Sequence, residues 1–289
     1  MNTAPLALTK HFAALAPSYD VALSDVWGVV HNGLAAWPDA CAALKRFRDG
    51  GGTVVLISNA PRPGEHVKKF LDHLKVPRDT YDAIMTSGDV SRAIVASRPS
   101  ESMHHLGPER DLGIFEGLDT RFAPVEEAAY VVCTGLLNDE VETPDDYRAQ
   151  LKQMLARKLL MICGNPDLVV ERGDRLVYCA GAIADLYRDM GGEVIYAGKP
   201  YRPIYDQALA IAAKLRGKES PAARVLVIGD SVRTDLKGAV DADIDCLFVT
   251  SGIHAEELGG RDDPDLTTLA KMFDDAKLAP KAVTRTLVW

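Results

Sequence analysis

The 289-residue sequence predicts an α/β protein built on a parallel sheet and divided by an inserted second α/β domain. Three observations predict this. Four apolar runs each end in a polar residue, amphipathic helical stripes lie between runs of this kind, and the regular alternation breaks over residues 101–191. The first run is Val21-Ala22-Leu23-Ser24-Asp25, leading into the loop Val26-Trp27-Gly28-Val29-Val30-His31-Asn32-Gly33. The second, Thr53-Val54-Val55-Leu56-Ile57, runs into Ser58-Asn59-Ala60; the third, Glu193-Val194-Ile195-Tyr196-Ala197, into Gly198-Lys199-Pro200; the fourth, Arg224-Val225-Leu226-Val227-Ile228, into Gly229-Asp230. Ligands of parallel α/β sheets bind just outside the carboxyl ends of the strands, so polar groups there read as site residues more than as packing. On this reading one sheet edge gathers two carboxylates, a hydroxyl and an ammonium.

The helices follow from spacing. Val67, Phe70, Leu71 and Leu74 form an i, i+3, i+4, i+7 stripe on a segment opened by Pro63-Gly64-Glu65. Ala40, Leu44 and Phe47 share a face after Pro38-Asp39, and Gly50-Gly51-Gly52 ends that helix, glycine being at ease in a left-handed cap. Ile204, Ala208, Ile211 and Leu215 follow Pro203, which is tolerated in a first helical turn. Alternation at this spacing means parallel βαβ units.

Residues 101–191 carry strands of their own, Ala129-Tyr130-Val131-Val132-Cys133 and Leu159-Leu160-Met161-Ile162-Cys163. They also carry a helix with Tyr147, Leu151 and Leu155, and a hairpin-like stretch from Val169 to Val177. The expected organisation is therefore a first core part over 1–100, the insertion over 101–191 and a second core part over 192–289. The sheet begun before the insertion is expected to resume after it.

Bulk properties narrow the class. Hydrophobic residues make up 47% and charged residues 26%, the balance of an ordinary globular chain. With 33 basic and 41 acidic residues the net charge is −8, and no basic cluster offers a footprint for nucleic acid or an anionic membrane. Cys41, Cys133, Cys163, Cys179 and Cys246 are odd in number and contain no C-x-x-C, which argues against a disulfide framework or structural zinc and fits a reducing cytoplasm. The start, Met1-Asn2-Thr3-Ala4-Pro5, has no basic region followed by an apolar stretch, and no run approaches membrane-spanning length.

Phosphoryl transfer asks for a positioned nucleophile, a cation that neutralises oxygen charge and fixed donors around the phosphoryl group. Asp25 is the candidate nucleophile, since a carboxylate can attack phosphorus to give an aspartyl-phosphate. Asp25 and Asp230 suit Mg²⁺, a hard cation held by carboxylates and waters, and Asp235 suits an outer role on a metal-bound water. Ser58 and the amides after it would donate to phosphate oxygens, with Lys199 as the point charge.

In these motifs the chain resembles haloacid dehalogenase (HAD) superfamily hydrolases, specifically the class IIA (NagD-like) branch of sugar-phosphate, nitrophenyl-phosphate and pyridoxal-phosphate phosphatases. Asp25 falls on the nucleophile, Ser58 on the second-motif hydroxyl, Lys199 in Gly198-Lys199-Pro200 on the third-motif lysine, and Asp230 with Asp235 on the acidic fourth motif. Gly164-Asn165-Pro166-Asp167 and Gly181-Ala182-Ile183 resemble the cap that selects substrate, and Val249-Thr250-Ser251-Gly252-Ile253 resembles the branch as well. The resemblance implies a Rossmann-like parallel-sheet core with an inserted C2-type cap. It also implies a Mg²⁺-dependent phosphatase acting on a small phosphorylated metabolite, and a homodimer formed through the cap. Implied phosphate contacts are Gly28, Ser58, Asn59, Ala60 and Lys199, and the implied metal set is Asp25, the backbone carbonyl of Trp27, Asp230 and, behind them, Asp235.

One position departs from the pattern. The family's second aspartate, two residues after the nucleophile, protonates the leaving group; here Trp27 stands in its place, as packing or as a surface for substrate. A backbone carbonyl survives that change, while acid–base help worth about 10²–10⁴ in rate does not. His31 is a candidate replacement donor if its loop folds back; otherwise the substrate has a stable leaving group. Asn165 is a further candidate for substrate contact, although Asn-Pro-Asp is turn chemistry in any context. His104-His105 has no acidic neighbours at ligand spacing. Two rival readings remain at this stage: cleavage of a phosphonate or carbon–halogen bond, and a non-catalytic protein that binds a phosphorylated ligand.

Overall fold

The computed structural model describes residues 8–172 and 175–289, so the first seven residues and Gly173-Asp174 lie outside it, together with the sequence expectation for the N-terminus. The chain forms two compact units, one from Met1–Ser58, Lys68–Met85 and Tyr205–Trp289, the other from Asn59–Val67 and Thr86–Ile204.

The first unit holds a six-stranded sheet. Its strands are β1 (Val21–Asp25), β2 (Thr53–Ser58), β3 (Ala83–Thr86), β11 (Val225–Gly229), β12 (Asp245–Val249) and β13 (Ala282–Thr284), in the order β13-β12-β11-β1-β2-β3. β1 runs parallel to both β2 and β11, and β12 parallel to both β11 and β13. Every residue of β1 and β11 is buried, as near-continuous apolar runs in the middle of a parallel sheet require. The expected helices form around it: α1 (Pro38–Asp49) buries Ala40, Leu44 and Phe47, and α2 (Gly64–His73) carries Val67 and Leu71 inward. Phe70 departs from its predicted stripe, lying 40% exposed with its ring edge-on to His31 at 5.6 Å. In α6 (Arg202–Arg216) the buried face is Ile204, Tyr205, Ala208 and Ala212, a rotation that leaves Leu215 exposed. Two further helices, α7 (Lys237–Asp241) and α8 (Leu266–Ala276), complete the unit.

The second unit has a five-stranded sheet, order β10-β7-β6-β4-β5, made from β4 (Ser102–Leu106), β5 (Arg121–Phe122), β6 (Tyr130–Cys133), β7 (Leu160–Cys163) and β10 (Val194–Tyr196), all pairs parallel. Its helices are α3 (Ser87–Ala96), α4 (Arg148–Ala156) and α5 (Ala180–Asp189), and the expected hairpin is β8 (Val169–Arg172) with β9 (Arg175–Tyr178). The run Glu193–Ala197 is a correction to the sequence expectation: β10 does not resume the first sheet but pairs with β7 of the second, Val194 opposite Met161. A short apolar strand reads the same in either sheet, and only its partner decides. The second unit therefore reaches beyond 101–191, taking in α3 from Thr86 onward and running through β10 to Ile204. Among the described residues no helix is long and apolar enough to cross a membrane.

Leu23 is fully buried in β1, between Val55 of β2 and Val227 of β11. Leu23→Ala is expected to lower unfolding stability by about 2–5 kcal/mol, read by denaturant titration. Two histidines add a pH dependence. Burial pushes His31 down to about 4, and burial with the neighbouring His104 does the same for His105. Below the ordinary imidazole range the unfolded chain takes up protons that these folded sites refuse. Stability is therefore expected to be full above about pH 6.5 and to fall as pH drops toward 4, with His31→Gln flattening part of that slope in urea melts taken across the interval.

Candidate active site

Asp25, Asp230 and Asp235 converge in the first unit, offering carboxylate oxygens that all lie within 4.8 Å of one another. The sheet register causes this. Ser24 of β1 stands opposite Ile228 of β11, so Asp25, the last residue of β1, and Asp230, one residue beyond β11, sit at adjacent strand ends. Asp235 arrives from the turn after β11, where Ser231 caps the helical segment by accepting from the Thr234 N–H, and the Ser231 N–H in turn donates to Asp235 Oδ2 at 3.2 Å. Asp230 Oδ2 accepts from the Ile253 N–H at 2.6 Å. Asp230 and Asp235 are buried and Asp25 is 8% exposed.

Two bare α-carbons make room for this cluster. A Cβ on Gly28 would stand 2.1 Å from Asp230 Oδ2, and one on Gly252 would stand 1.8 Å from the same atom. Gly28 also has φ of +84°, a conformation that side chains resist. Its expected contact with phosphate thus comes with a packing role against Asp230.

The loop after Asp25 is closed by its own backbone: the Gly28 N–H donates to the His31 carbonyl, and the Val30 and His31 N–H groups donate to that of Val26. Trp27 is 40% exposed, its indole edge-on to His31 at 5.1 Å and close over Gly33. His31 is 2% exposed, and its Nδ1 accepts from the Gly33 N–H at 2.9 Å, which leaves Nε2 to carry the ring proton. Held between Trp27 and Phe70, it is a post that shapes the loop. Ser58 ends β2 one residue beyond Ile57, which is opposite Asp25.

The remaining sequence candidates lie in the second unit. Asn59 is 4% exposed; its Oδ1 accepts from the Lys199 N–H at 2.7 Å, while its Nδ2 donates to the Lys199 carbonyl at 3.1 Å and to Asp167 Oδ1 at 2.9 Å. Asn165 Oδ1 accepts from the Asp167 N–H at 3.1 Å, the turn chemistry that Asn-Pro-Asp suggests. Ala60 offers its carbonyl to the Gly88 N–H. Lys199 is 2% exposed and follows β10 directly after Ala197 and Gly198.

Several polar groups near the ends of the second sheet's strands escaped sequence reasoning, because each partnership joins distant segments. Arg62 Nε donates to Asp111 Oδ1 at 3.2 Å, with Asp111 almost wholly buried. Burial pushes the Asp111 carboxyl up, and the Arg62 guanidinium pulls it back. His105 Nε2 bonds Thr134 Oγ1 at 2.9 Å just past β6. Ser87 is fully buried with no hydrogen-bond partner for its hydroxyl among the described residues, and a Cβ on Gly198 would stand 2.9 Å from it. The one available signal was position, since Thr134 follows the end of β6.

The donor set in the first unit fits a hard divalent cation: three carboxylates, with no thiol or imidazole in the group. Asp25 and Asp230 are the residues that would hold it, with Asp235 behind them.

Residues 22–121 match the family model for haloacid dehalogenase-like hydrolases, and residues 196–276 match the HAD-hydrolase-like model. A hydrolase of the haloacid dehalogenase-like family from Brucella suis 1330 is 44% identical, covers 97% of this chain and 100% of its own, and superposes with a TM-score of 0.86. The p-nitrophenyl phosphatase of Archaeoglobus fulgidus shares the fold, with a TM-score of 0.72 at 22% identity over 93% of this chain and 97% of its own. In sequence, the 5'-nucleotidase YutF of Bacillus subtilis (strain 168) is 22% identical over 83% of this chain and 90% of its own length. With near-complete coverage at 44% identity and both halves of the first unit's sheet matched, the chain belongs to the haloacid dehalogenase-like hydrolase family.

Proposed function

We propose that this hydrolase is a Mg²⁺-dependent phosphatase of the class IIA (NagD-like) branch, acting on a small phosphorylated metabolite through an aspartyl-phosphate on Asp25. The observation that carries the reading is the convergence of Asp25, Asp230 and Asp235 within 4.8 Å at the carboxyl ends of adjacent strands. The phosphatase and nucleotidase activities of the similar proteins support the choice of phosphate monoesters.

A carboxylate oxygen of Asp25 attacks phosphorus, the bond from phosphorus to the leaving oxygen breaks, and that oxygen leaves as an alcohol once protonated. Water then attacks the phosphorus of the aspartyl-phosphate, which restores the carboxylate and releases inorganic phosphate. Bound Mg²⁺ would draw negative charge from the phosphoryl oxygens. Ser58 donates to a phosphoryl oxygen, and Lys199 supplies a fixed ammonium charge.

Trp27 has no proton to give at the pH of catalysis, and His31 is buried, neutral and bonded at Nδ1, so neither protonates the leaving oxygen. The favoured substrates are therefore esters whose leaving group departs without an acid. All five cysteines are free and buried, which fits our placing the protein in a reducing cytoplasm, and we keep the homodimer through the second unit as the proposed assembly.

With Mg²⁺ present, the purified protein is expected to release phosphate from p-nitrophenyl phosphate, and Asp25→Asn to reduce release to background. A chelator should silence the native enzyme and added Mg²⁺ should restore it; phosphate release unmoved by chelation would overturn the metal-dependent reading. A second expectation concerns the leaving group. Trp27→Asp should raise turnover of an alkyl phosphate relative to an aryl phosphate by about 10²-fold, the size of general-acid help. The ratio within one preparation is the measurement, and an unchanged ratio would show that another group already protonates the leaving oxygen.

A further inference from the structure

Asn59 follows Ser58 immediately, and on the reading above its backbone lies beside a phosphoryl group. Its side chain is committed elsewhere. An asparagine amide has one oxygen acceptor and two N–H donors. Here the oxygen takes the Lys199 N–H at 2.7 Å, and the NH₂ group reaches both the Lys199 carbonyl at 3.1 Å and Asp167 Oδ1 at 2.9 Å. The amide therefore meets both backbone polar groups of one residue, as a neighbouring strand would. We propose that Asn59 is a positioning residue, which holds the backbone of Lys199 through its side-chain amide while Asp167 fixes which way that amide faces.

The orientation argument rests on charge. An ionised Asp167 only accepts hydrogen bonds, so the NH₂ end of Asn59 must face it, and the oxygen end is left for the Lys199 N–H. Reversing the amide would set two acceptors against each other and two donors together at Lys199. Asp167 is itself held by Asn165, which accepts from its N–H at 3.1 Å. The approach also depends on residue 198 having no side chain, because a Cβ there would stand 2.4 Å from Asn59 Oδ1. Lysine carries a flexible four-carbon stem, so a fixed root removes part of the conformational freedom that the ammonium would otherwise lose on meeting a phosphoryl oxygen. Asn59 and Asn165, read from sequence as phosphate or substrate contacts, thus act together with Asp167 on Lys199. This inference rests on the phosphatase reading for its effect on rate, and on the hydrogen bonds alone for its effect on the Lys199 backbone.

The test is a double-mutant cycle with two readouts. Asn59→Asp keeps an acceptor for the Lys199 N–H but turns a carboxylate toward Asp167; Asp167→Asn, added to it, restores a donor–acceptor pair with polarity reversed. With p-nitrophenyl phosphate and Mg²⁺, Asn59→Asp is expected to lower kcat about 10- to 100-fold with little change in KM, and the double variant to recover the part of that loss due to the Asp167 contact, its Lys199 carbonyl still lacking the donor that Asn59 gave it. The second readout is hydrogen exchange at the Lys199 amide, which should quicken about 10- to 100-fold in Asn59→Ala while amides of Val225–Gly229 keep their protection. If the native protein releases no phosphate the phosphatase reading fails, and the exchange rate still decides the role of Asn59. Equal kcat in the single and double variants, or an unchanged Lys199 exchange rate, overturns the proposal. A variant that exchanges faster everywhere has lost its fold, and the double variant then carries the test.

Discussion

Everything in the first unit is arranged around keeping three carboxylates together. Two unit charges about 4.8 Å apart repel by about 3–4 kcal/mol at the effective dielectric of a protein site, and three make three such pairs. The opposing force is the register of β1 against β11, two strands buried along their whole length, whose pairing leaves Asp25 and Asp230 no room to separate. Backbone N–H groups of Ser231 and Ile253 take up part of the charge. A divalent cation bound between the carboxylates would offset the same repulsion.

How much of this was legible in the sequence depended on whether position alone carried the information. Asp25, Ser58 and Asp230 could be found because each closes or follows an apolar run, and strand ends are where parallel sheets present ligands. The helices α1, α2, α4 and α6 were legible from their periods, apart from Phe70, whose ring turns to His31, and the face of α6, whereas α3, α5 and α8 were not read. The sheet membership of β10 was not legible, since three apolar residues, Val194 to Tyr196, carry no mark of their neighbour. Nor were the pairings of Arg62 with Asp111 and of His105 with Thr134, which join segments far apart in the chain.

Residue type also proved a poor guide to which end of a residue matters. Asn59 and Asn165 stand where a phosphate or substrate contact was expected; the Asn59 side chain is tied to the Asp167 side chain and the Lys199 backbone, and the Asn165 side chain to the Asp167 N–H. His31 stands in the loop where a proton donor was wanted, and burial with the Gly33 bond gives it the opposite character. In both cases the hydrogen-bond partner, invisible in the sequence, decides the chemistry.

The bare α-carbons facing Asp230 have an evolutionary consequence. Every substitution away from glycine adds at least a methyl group, and at positions 28 and 252 that methyl falls about 2 Å from a carboxylate oxygen. A side chain at either position would have to displace Asp230, so substitution there disturbs an acid of the niche. The dimensions of the acidic niche are written into main chain, which cannot adapt by changing rotamer, and a descendant lineage that altered its ion preference would have to do so by exchanging ligands rather than by resizing the walls.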